Sequence, residues 1–257
     1  MTTELQTERQ GHTLVMRLHG PATRNALSPQ VYAAGMELLN VAESNAEVRA
    51  VVLTGGGGHF CGGSDLHGLC QQRLHDLPGQ GAHLDAFHQW IEALRSFPKP
   101  VIAAVEGVVA GGGMSLALAC DLVVASETAR FLPAYSQVGL SPDGGASWHL
   151  SRSLGRAQAL ALLWLGEVQT AQAWAARGLV HRLCPAGGAL AEALALADQL
   201  AGLTPGVLAS IKELVNDAAA PLRTQLEAEK QHFLVNLAQP AAGQAIDDLL
   251  RRRSALG

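Results

Sequence analysis

The sequence predicts an α/β fold, and three observations carry that prediction. Short apolar runs at 13–18, 49–54, 101–105 and 121–125 read as strands, with helical segments between them. Two of these runs lead into glycine loops. From residue 144 onward the apolar spacing is helical almost throughout, interrupted by a single strand at 179–184.

Each element has its own signal. Residues 13–18 alternate into the first strand, and Ser28-Pro29 then start a helix, with Ser as N-cap and Pro at the first helical position. The second strand, 49–54, precedes the first glycine loop, Phe60-Cys61-Gly62-Gly63-Ser64-Asp65-Leu66. The polar stretch 71–81 holds Pro78 and several glycines, so it is expected to be a mobile loop. Leu84, Phe87, Ile91 and Leu94 recur at helical spacing and predict a helix over 82–96, ended by Pro98 and Pro100. The strand 101–105 leads to the second loop, Gly107-Val108-Val109-Ala110-Gly111-Gly112-Gly113-Met114-Ser115, and to a helix from about 112 to 119. After the strand at 121–125, helices are expected at 144–153, 156–165, 170–177, 187–202, 206–219, 221–238 and 241–252. Thr204-Pro205 reads as a hinge that divides a core of residues 1–203 from a helical region of residues 204–257.

Composition narrows the function classes. A chain of 257 residues, 48% hydrophobic and 16% charged, is globular and can bury a substantial core. A net charge of -4 supplies no electrostatic reason to bind nucleic acid or an anionic membrane. The four cysteines, Cys61, Cys70, Cys120 and Cys184, form no CxxC pair, which suggests a reducing compartment. The polar, acidic start of the sequence is unlike a signal peptide, and no apolar run reaches the ~20 residues of a membrane span. The expected location is the cytoplasm.

Several standard chemistries are excluded by their motifs. Neither glycine loop spells GxGxxG or is followed by GK[ST], and the ten histidines include no HExxH or zinc-spaced cluster, so no metal is implied. Glycine lets backbone approach a ligand and adopt positive φ, and a glycine run entering a helix leaves N–H groups unpaired. Two such loops can aim one N–H each at a single oxygen, which makes an oxyanion hole. A rival reading takes Gly113-Met114-Ser115-Leu116-Ala117 as a loosened nucleophile elbow, with Asp143 and then His149 or His181 in Ser–Asp–His order. An elbow normally ends in Gly, and Ala117 stands in that place.

Over nearly its whole length the chain resembles the crotonase superfamily, the enoyl-CoA hydratases and isomerases. The resemblance is carried by Arg24-Asn25-Ala26-Leu27, by both glycine loops, and by Phe131 with Gly139-Leu140-Ser141-Pro142-Asp143-Gly144-Gly145. Leu154-Gly155-Arg156-Ala157 and Ala175-Ala176-Arg177-Gly178-Leu179-Val180 extend it. It implies a spiral of ββα turns with a helical C-terminal trimerisation region, in a homotrimer or a dimer of trimers. It also implies an acyl-CoA thioester ligand, with coenzyme A as part of the substrate and no further cofactor. Residue by residue, it makes the backbone N–H groups of Ser64 and Gly112 the oxyanion donors. Ala26, Gly62, Ser64, Asp65, Leu66 and Gly112 would line the CoA thioester, with Arg24 near the CoA phosphates.

The two glutamates of the hydratases fall at Ser115 and Tyr135 here, and neither residue can serve as a carboxylate base. Asp143 remains, at a place where ring-epoxide and dienoyl-CoA isomerases carry an aspartate. The resemblance therefore implies an acyl-CoA isomerase in which Asp143 shuttles a proton and Tyr135 orients its carboxylate. An aryl-CoA dehalogenase of the chlorobenzoyl-CoA type is the alternative. There Asp143 would be the nucleophile, Tyr135 would replace an indole donor, and His88 would activate water. An enoyl-CoA hydratase, a non-catalytic acyl-CoA-binding protein and a serine hydrolase are the remaining alternatives.

Overall fold

The computed structural model of the protein describes residues 2–254. Its main sheet has six strands in the order β1 (Glu4–Gln10), β2 (Thr13–His19), β3 (Ala50–Gly55), β4 (Val101–Val105), β6 (Leu122–Ser126) and β9 (Arg182–Cys184). β1 and β2 form an antiparallel hairpin, and all other neighbours are parallel. Parallel strands covered on both faces need apolar residues at every position, which is what Ala50-Val51-Val52-Leu53 and Val101-Ile102-Ala103-Ala104-Val105 supply.

The two-residue period of the strands divides these side chains between two cores. Met16, Leu53, Ala103 and Val123 lie in register and face the larger core. There they meet α1 (Pro29–Ser44), α3 (Leu77–Ser96) and α4 (Gly112–Ala119) through Val31, Leu39, Phe87, Trp90, Leu94 and Met114. Val15, Val52 and Ile102 form the neighbouring row and face the smaller core, against α8 (Ala189–Ala201). The α8 residues involved are Ala189, Ala193, Leu196 and Ala197, one helical stripe.

A second sheet contains β5 (Val108–Ala110), β7 (Arg130–Leu132) and β8 (Gln169–Thr170). The chain leaves β4, turns at Gly107 into β5 and then enters α4; it likewise leaves β6 for β7 and goes on to α5 (Ala146–Leu154). After β3, Cys61 bridges to Val109 beside β5, and the chain then enters α2 (Leu66–His75). Strand, short strand, helix thus occurs twice, and strand, bridge, helix once.

The remaining helices are α6 (Arg156–Leu165), α7 (Ala171–Ala176), α9 (Pro205–Asn216), α10 (Leu222–Leu237) and α11 (Pro240–Ser254). The chain divides into two compact units, one through Leu200 and one from Ala201 on. In the second unit Asn236 Nδ2 donates to Ser210 Oγ at 3.0 Å, and a cavity of about 810 Å³ lies among α9, α10 and α11. Ile211, Val215, Leu222, Phe233 and Val235 of this unit remain exposed. No single helix among the described residues is long and apolar enough to cross a membrane.

The stretch 71–81, expected as a loop, is helical apart from its turn at Asp76. The carboxylate of Asp76 accepts from the Gly79 N–H at 2.9 Å and caps α3, whose first turn tolerates Pro78 because N–H groups there have no helical partner anyway. The glycines and proline mark a helix start inside what composition alone reads as a loop. β1, β5, β7 and β8 are also additions. β1 is almost wholly exposed and carries no apolar alternation, while the others are two or three residues long.

Candidate active site

The first glycine loop is tied to the chain on both sides. Asn25 is fully buried with φ +59°, accepts from the Gly20 N–H at 2.9 Å, and donates through Nδ2 to the carbonyls of Gly56, His59 and Phe60 at 2.9, 2.9 and 3.2 Å. Gly62 N–H donates to the Arg24 carbonyl at 2.7 Å, and Leu27 N–H donates to the Gly63 carbonyl at 2.8 Å. Toward β5, Cys61 N–H donates to Val108 O at 3.2 Å and Ala110 N–H donates to Cys61 O at 2.9 Å. Only glycine permits so close an approach. A Cβ on Gly63, at φ +92°, would lie 2.8 Å from Ala110 O, and one on Gly113 would lie 2.7 Å from Cys61 Cβ.

These contacts bring the two glycine loops side by side and leave backbone donors over. Among the described residues neither Ser64 N–H nor Gly112 N–H has a partner, and Gly112 opens α4, where first-turn N–H groups point beyond the helix end. Arg24, Ala26, Gly62, Ser64, Asp65 and Leu66 follow one another along the two hydrogen-bonded segments 24–27 and 62–66. Arg24 and Leu66 are exposed, and the Asp65 carboxylate caps α2 by accepting from His67 N–H at 3.0 Å.

Asp143 lies just before α5 and is half-buried. A Cβ on Gly112 would lie 3.6 Å from Asp143 Oδ1, so the carboxylate borders the first residue of α4. Gly144 follows with φ +54°, and a side chain there would overlap the Phe87 ring. Tyr135 OH reaches Asp143 Oδ1 at 3.1 Å, Ser115 Oγ lies 2.8 Å from Tyr135 OH, and Ser115 Oγ donates to the Asp143 carbonyl at 2.8 Å. Burial raises the Asp143 pKa above the ordinary carboxylate value, with the Tyr135 hydrogen bond and the nearby His88 opposing it. Burial, then the charge of Asp143, pushes the Tyr135 hydroxyl up, so Tyr135 keeps its proton.

The ring has one contact more than its two hydroxyls have protons. Three contacts need three hydrogens, and the two hydroxyls supply two. With Asp143 ionised, Tyr135 donates to it and one contact lacks a proton. With Asp143 protonated, the carboxyl donates to Tyr135, Tyr135 to Ser115, and Ser115 to the Asp143 carbonyl, which satisfies all three. The ring accommodates both charge states of the carboxylate, as a group that takes and returns a proton requires.

The same ring leaves Ser115 without the neighbour a nucleophile needs. Ser115 is fully buried and its partners are a phenol and a carbonyl; among the described residues no imidazole bonds to it. His181 lines a different cavity, together with Asp121 and Ser153. Ser115→Ala is expected to retain turnover within about tenfold, the loss of a hydrogen bond or so, and steady-state rates with labelling by a serine-directed phosphonate check this.

A cavity of about 330 Å³ opens beside Asp143, between α3 and the start of α5. His88 and Ile91 line it from α3, and Gly144, Gly145 and His149 line it from the other side. His149 is 7% exposed; burial, with the charges of Arg95 and Arg152, lowers its pKa to about 4. A folded pKa below the unfolded 6.5 means that the unfolded chain binds the proton first. The stabilisation is therefore complete above pH 6.5 and is lost as the pH falls toward 4. The loss amounts to about 3 kcal/mol. Melting curves should show the wild type losing more stability than His149→Phe over that window.

The family model described as enoyl-CoA hydratase/isomerase matches residues 8–249. The chain belongs to this family. It is a crotonase, and its recurring strand–strand–helix turns are the crotonase spiral. It is 34% identical to 1,2-epoxyphenylacetyl-CoA isomerase of Escherichia coli (strain K12), over 91% of this chain and 88% of that protein. It is 33% identical to 2,3-dehydroadipyl-CoA hydratase of the same organism, over 98% of this chain and 97% of that one. The crystal structure of an enoyl-CoA hydratase from Polaromonas sp. JS666 superposes with a TM-score of 0.95 at 49% identity, covering 96% of this crotonase and 97% of that chain. Relatives at 33–34% identity thus include both an isomerase and a hydratase, and the solved structure at 49% identity is of an enoyl-CoA hydratase.

Three residues of the site had no sequence-based role. Asn25 stood in a quoted motif, but nothing in its type says that it brackets four backbone groups. Phe87 counted only as an apolar helix position, and His149 only as a distant triad partner.

Proposed function

We propose that this crotonase is an acyl-CoA isomerase that holds a thioester enolate in an oxyanion hole and moves a proton with Asp143. The observation that carries this reading is the Ser115–Tyr135–Asp143 ring beside the unpaired N–H of Gly112. Ser64 N–H and Gly112 N–H would polarise the thioester carbonyl. Asp143 would take a proton from a carbon conjugated with it, the electron pair passing onto the thioester oxygen. The proton would return to another carbon of the chain as the pair withdraws, so the double bond moves and nothing is gained or lost. Preorganised donors at the oxyanion are worth about 10²–10³ in rate each. Coenzyme A enters as part of the substrate, along the 24–27 and 62–66 segments.

The dehalogenase reading keeps one observation in its favour, the position of His88 close enough to Asp143 to act on its pKa. A nucleophile works best fully ionised, whereas burial raises the Asp143 pKa, which suits a carboxyl that cycles between charge states. His88→Gln is expected to change isomerase turnover by less than about tenfold; a much larger loss, together with halide release from an aryl-CoA, would favour the dehalogenase.

The test is a panel of enoyl-, dienoyl- and aryl-CoA thioesters in deuterated water, read by mass spectrometry. Deuterium uptake with movement of a double bond is the expected result. Halide release or net addition of water, without exchange, would overturn the isomerase. The exposed apolar residues of the second unit, Phe233 and Val235 among them, further support a homotrimer or a dimer of trimers, which sedimentation equilibrium would measure.

A further inference from the structure

The cavity beside Asp143 contains a buried group that the proton shuttle does not use. His149 is 7% exposed, and among the described residues neither of its ring nitrogens has a hydrogen-bond partner. Its Nε2 lies on the Gly145 side, 3.5 Å from where a Cβ on Gly145 would stand, and both residues line the cavity. Neither ring nitrogen is wholly buried, so each can be reached from the cavity by a partner that arrives with the ligand or the solvent.

The ring is held in place from behind. The guanidinium carbons of Arg95 and Arg152 lie 4.4 and 4.1 Å from the Trp148 ring centroid. His149 packs at the Trp148 edge, with ring centroids 4.9 Å apart and planes at 83°. Trp148, flanked by the two guanidiniums, packs against His149.

We propose that the acyl group taken by this enzyme carries a neutral oxygen, a carbonyl or hydroxyl, that hydrogen-bonds to the His149 ring in the cavity lined by His88, Gly144 and His149. The inference rests on the acyl-CoA reading of the site. A neutral oxygen fits better than a carboxylate. Glu92 lines the cavity beside Arg95, and Asp143 directly precedes Gly144 of its wall, so an anionic end would meet like charge as well as the arginine. The imidazole itself is neutral at working pH, able to donate from one nitrogen and accept at the other. A cavity of about 330 Å³ is near the lower end for ligand pockets and suits a short acyl chain. His149 is thereby a specificity-determining residue, and a plain hydrocarbon chain would leave it unpaired.

Calorimetric titration of the full-length protein with hexanoyl-CoA and with its derivatives bearing an oxo group on carbon four or five tests this. At least one oxo derivative is expected to bind about tenfold tighter than hexanoyl-CoA, the effect of one good hydrogen bond. His149→Phe should abolish that preference, read as the ratio of the oxo to the plain thioester affinities, and His149→Asn should keep part of it. Equal binding of all three thioesters by the wild type would overturn the proposal, as would a preference that survives His149→Phe. So would a terminal carboxylate, tried as the half-thioester of adipic acid, that outbinds both oxo derivatives. The wild-type series decides even where the phenylalanine variant fails to fold. Binding of no thioester at all would instead show that the acyl-CoA reading itself has failed.

Discussion

Replacing Asp143 by asparagine is expected to lower turnover by about 10²–10⁴-fold, the usual contribution of a positioned general acid–base. Binding of a CoA thioester should change little, because the oxyanion donors and the 24–27 and 62–66 segments are backbone groups that the substitution does not touch. The variant should also melt at a higher temperature than the wild type at neutral pH. Burial raises the folded pKa of Asp143 above its ordinary value of 3.8, so the folded state holds this carboxylate at a cost whenever it is ionised. The contribution of Asp143 to stability is full below the ordinary value and is lost as the pH rises through the raised folded pKa. Asparagine removes that loss and still offers Tyr135 an acceptor. The two effects make a paired measurement. Activity should fall while the melting temperature rises, and the difference in melting temperature should vanish below pH 3.8. A variant with wild-type turnover would remove Asp143 from the mechanism.

The same pKa direction shapes the rate profile. If Asp143 must be ionised to take the proton, kcat/KM falls as the pH drops through the raised pKa, earlier than an ordinary aspartate would allow. His149 acts oppositely on stability in an overlapping range, since its folded pKa is depressed. Acid titration of the wild type therefore mixes a gain from Asp143 with a loss from His149, and the single variants separate them.

How legible the site was depended on whether its parts were backbone or side chain. Strands such as Val101-Ile102-Ala103-Ala104-Val105 announce themselves because burial on both faces demands apolar residues throughout. The glycine loops are legible for a related reason. Close approach of Gly63 to Ala110 and of Gly113 to Cys61 excludes every other side chain, so the requirement is written in residue type. Asp143, Tyr135 and Ser115 were each named in advance, but their closed ring was not, because it joins residues 20 and 28 positions apart whose approach only the tertiary fold sets. The stretch 71–81 misled because Pro78 and Gly79 are turn residues by composition, while Asp76 converts them into a helix start. β1 escaped for the opposite reason: its pairing is made by backbone groups and leaves no apolar trace in an exposed strand.

Gly63→Ala is the second substitution with a large expected effect, and it tests the oxyanion hole without touching any donor. At φ +92° a side chain is strained, and its Cβ would press on Ala110 O at 2.8 Å, a backbone atom that cannot swing aside. The clash has two outlets, and both displace Ser64 N–H relative to Gly112 N–H. Either the first loop retreats from β5, or Ala110–Gly111 shifts and carries the start of α4 with it. A misplaced donor should cost about 10²–10³ in kcat, with a smaller change in KM, since the oxyanion develops only in the transition state. Strain alone would lower stability too, so Gly11→Ala is the matched control. Gly11 has φ +59° in the turn between β1 and β2, and nothing lies within 4 Å of its Cβ position. That substitution should cost about 1–2 kcal/mol in stability and leave kcat unchanged. Equal kcat in the two variants would mean that Gly63 only permits tight packing and that the paired loops do not hold the thioester oxygen.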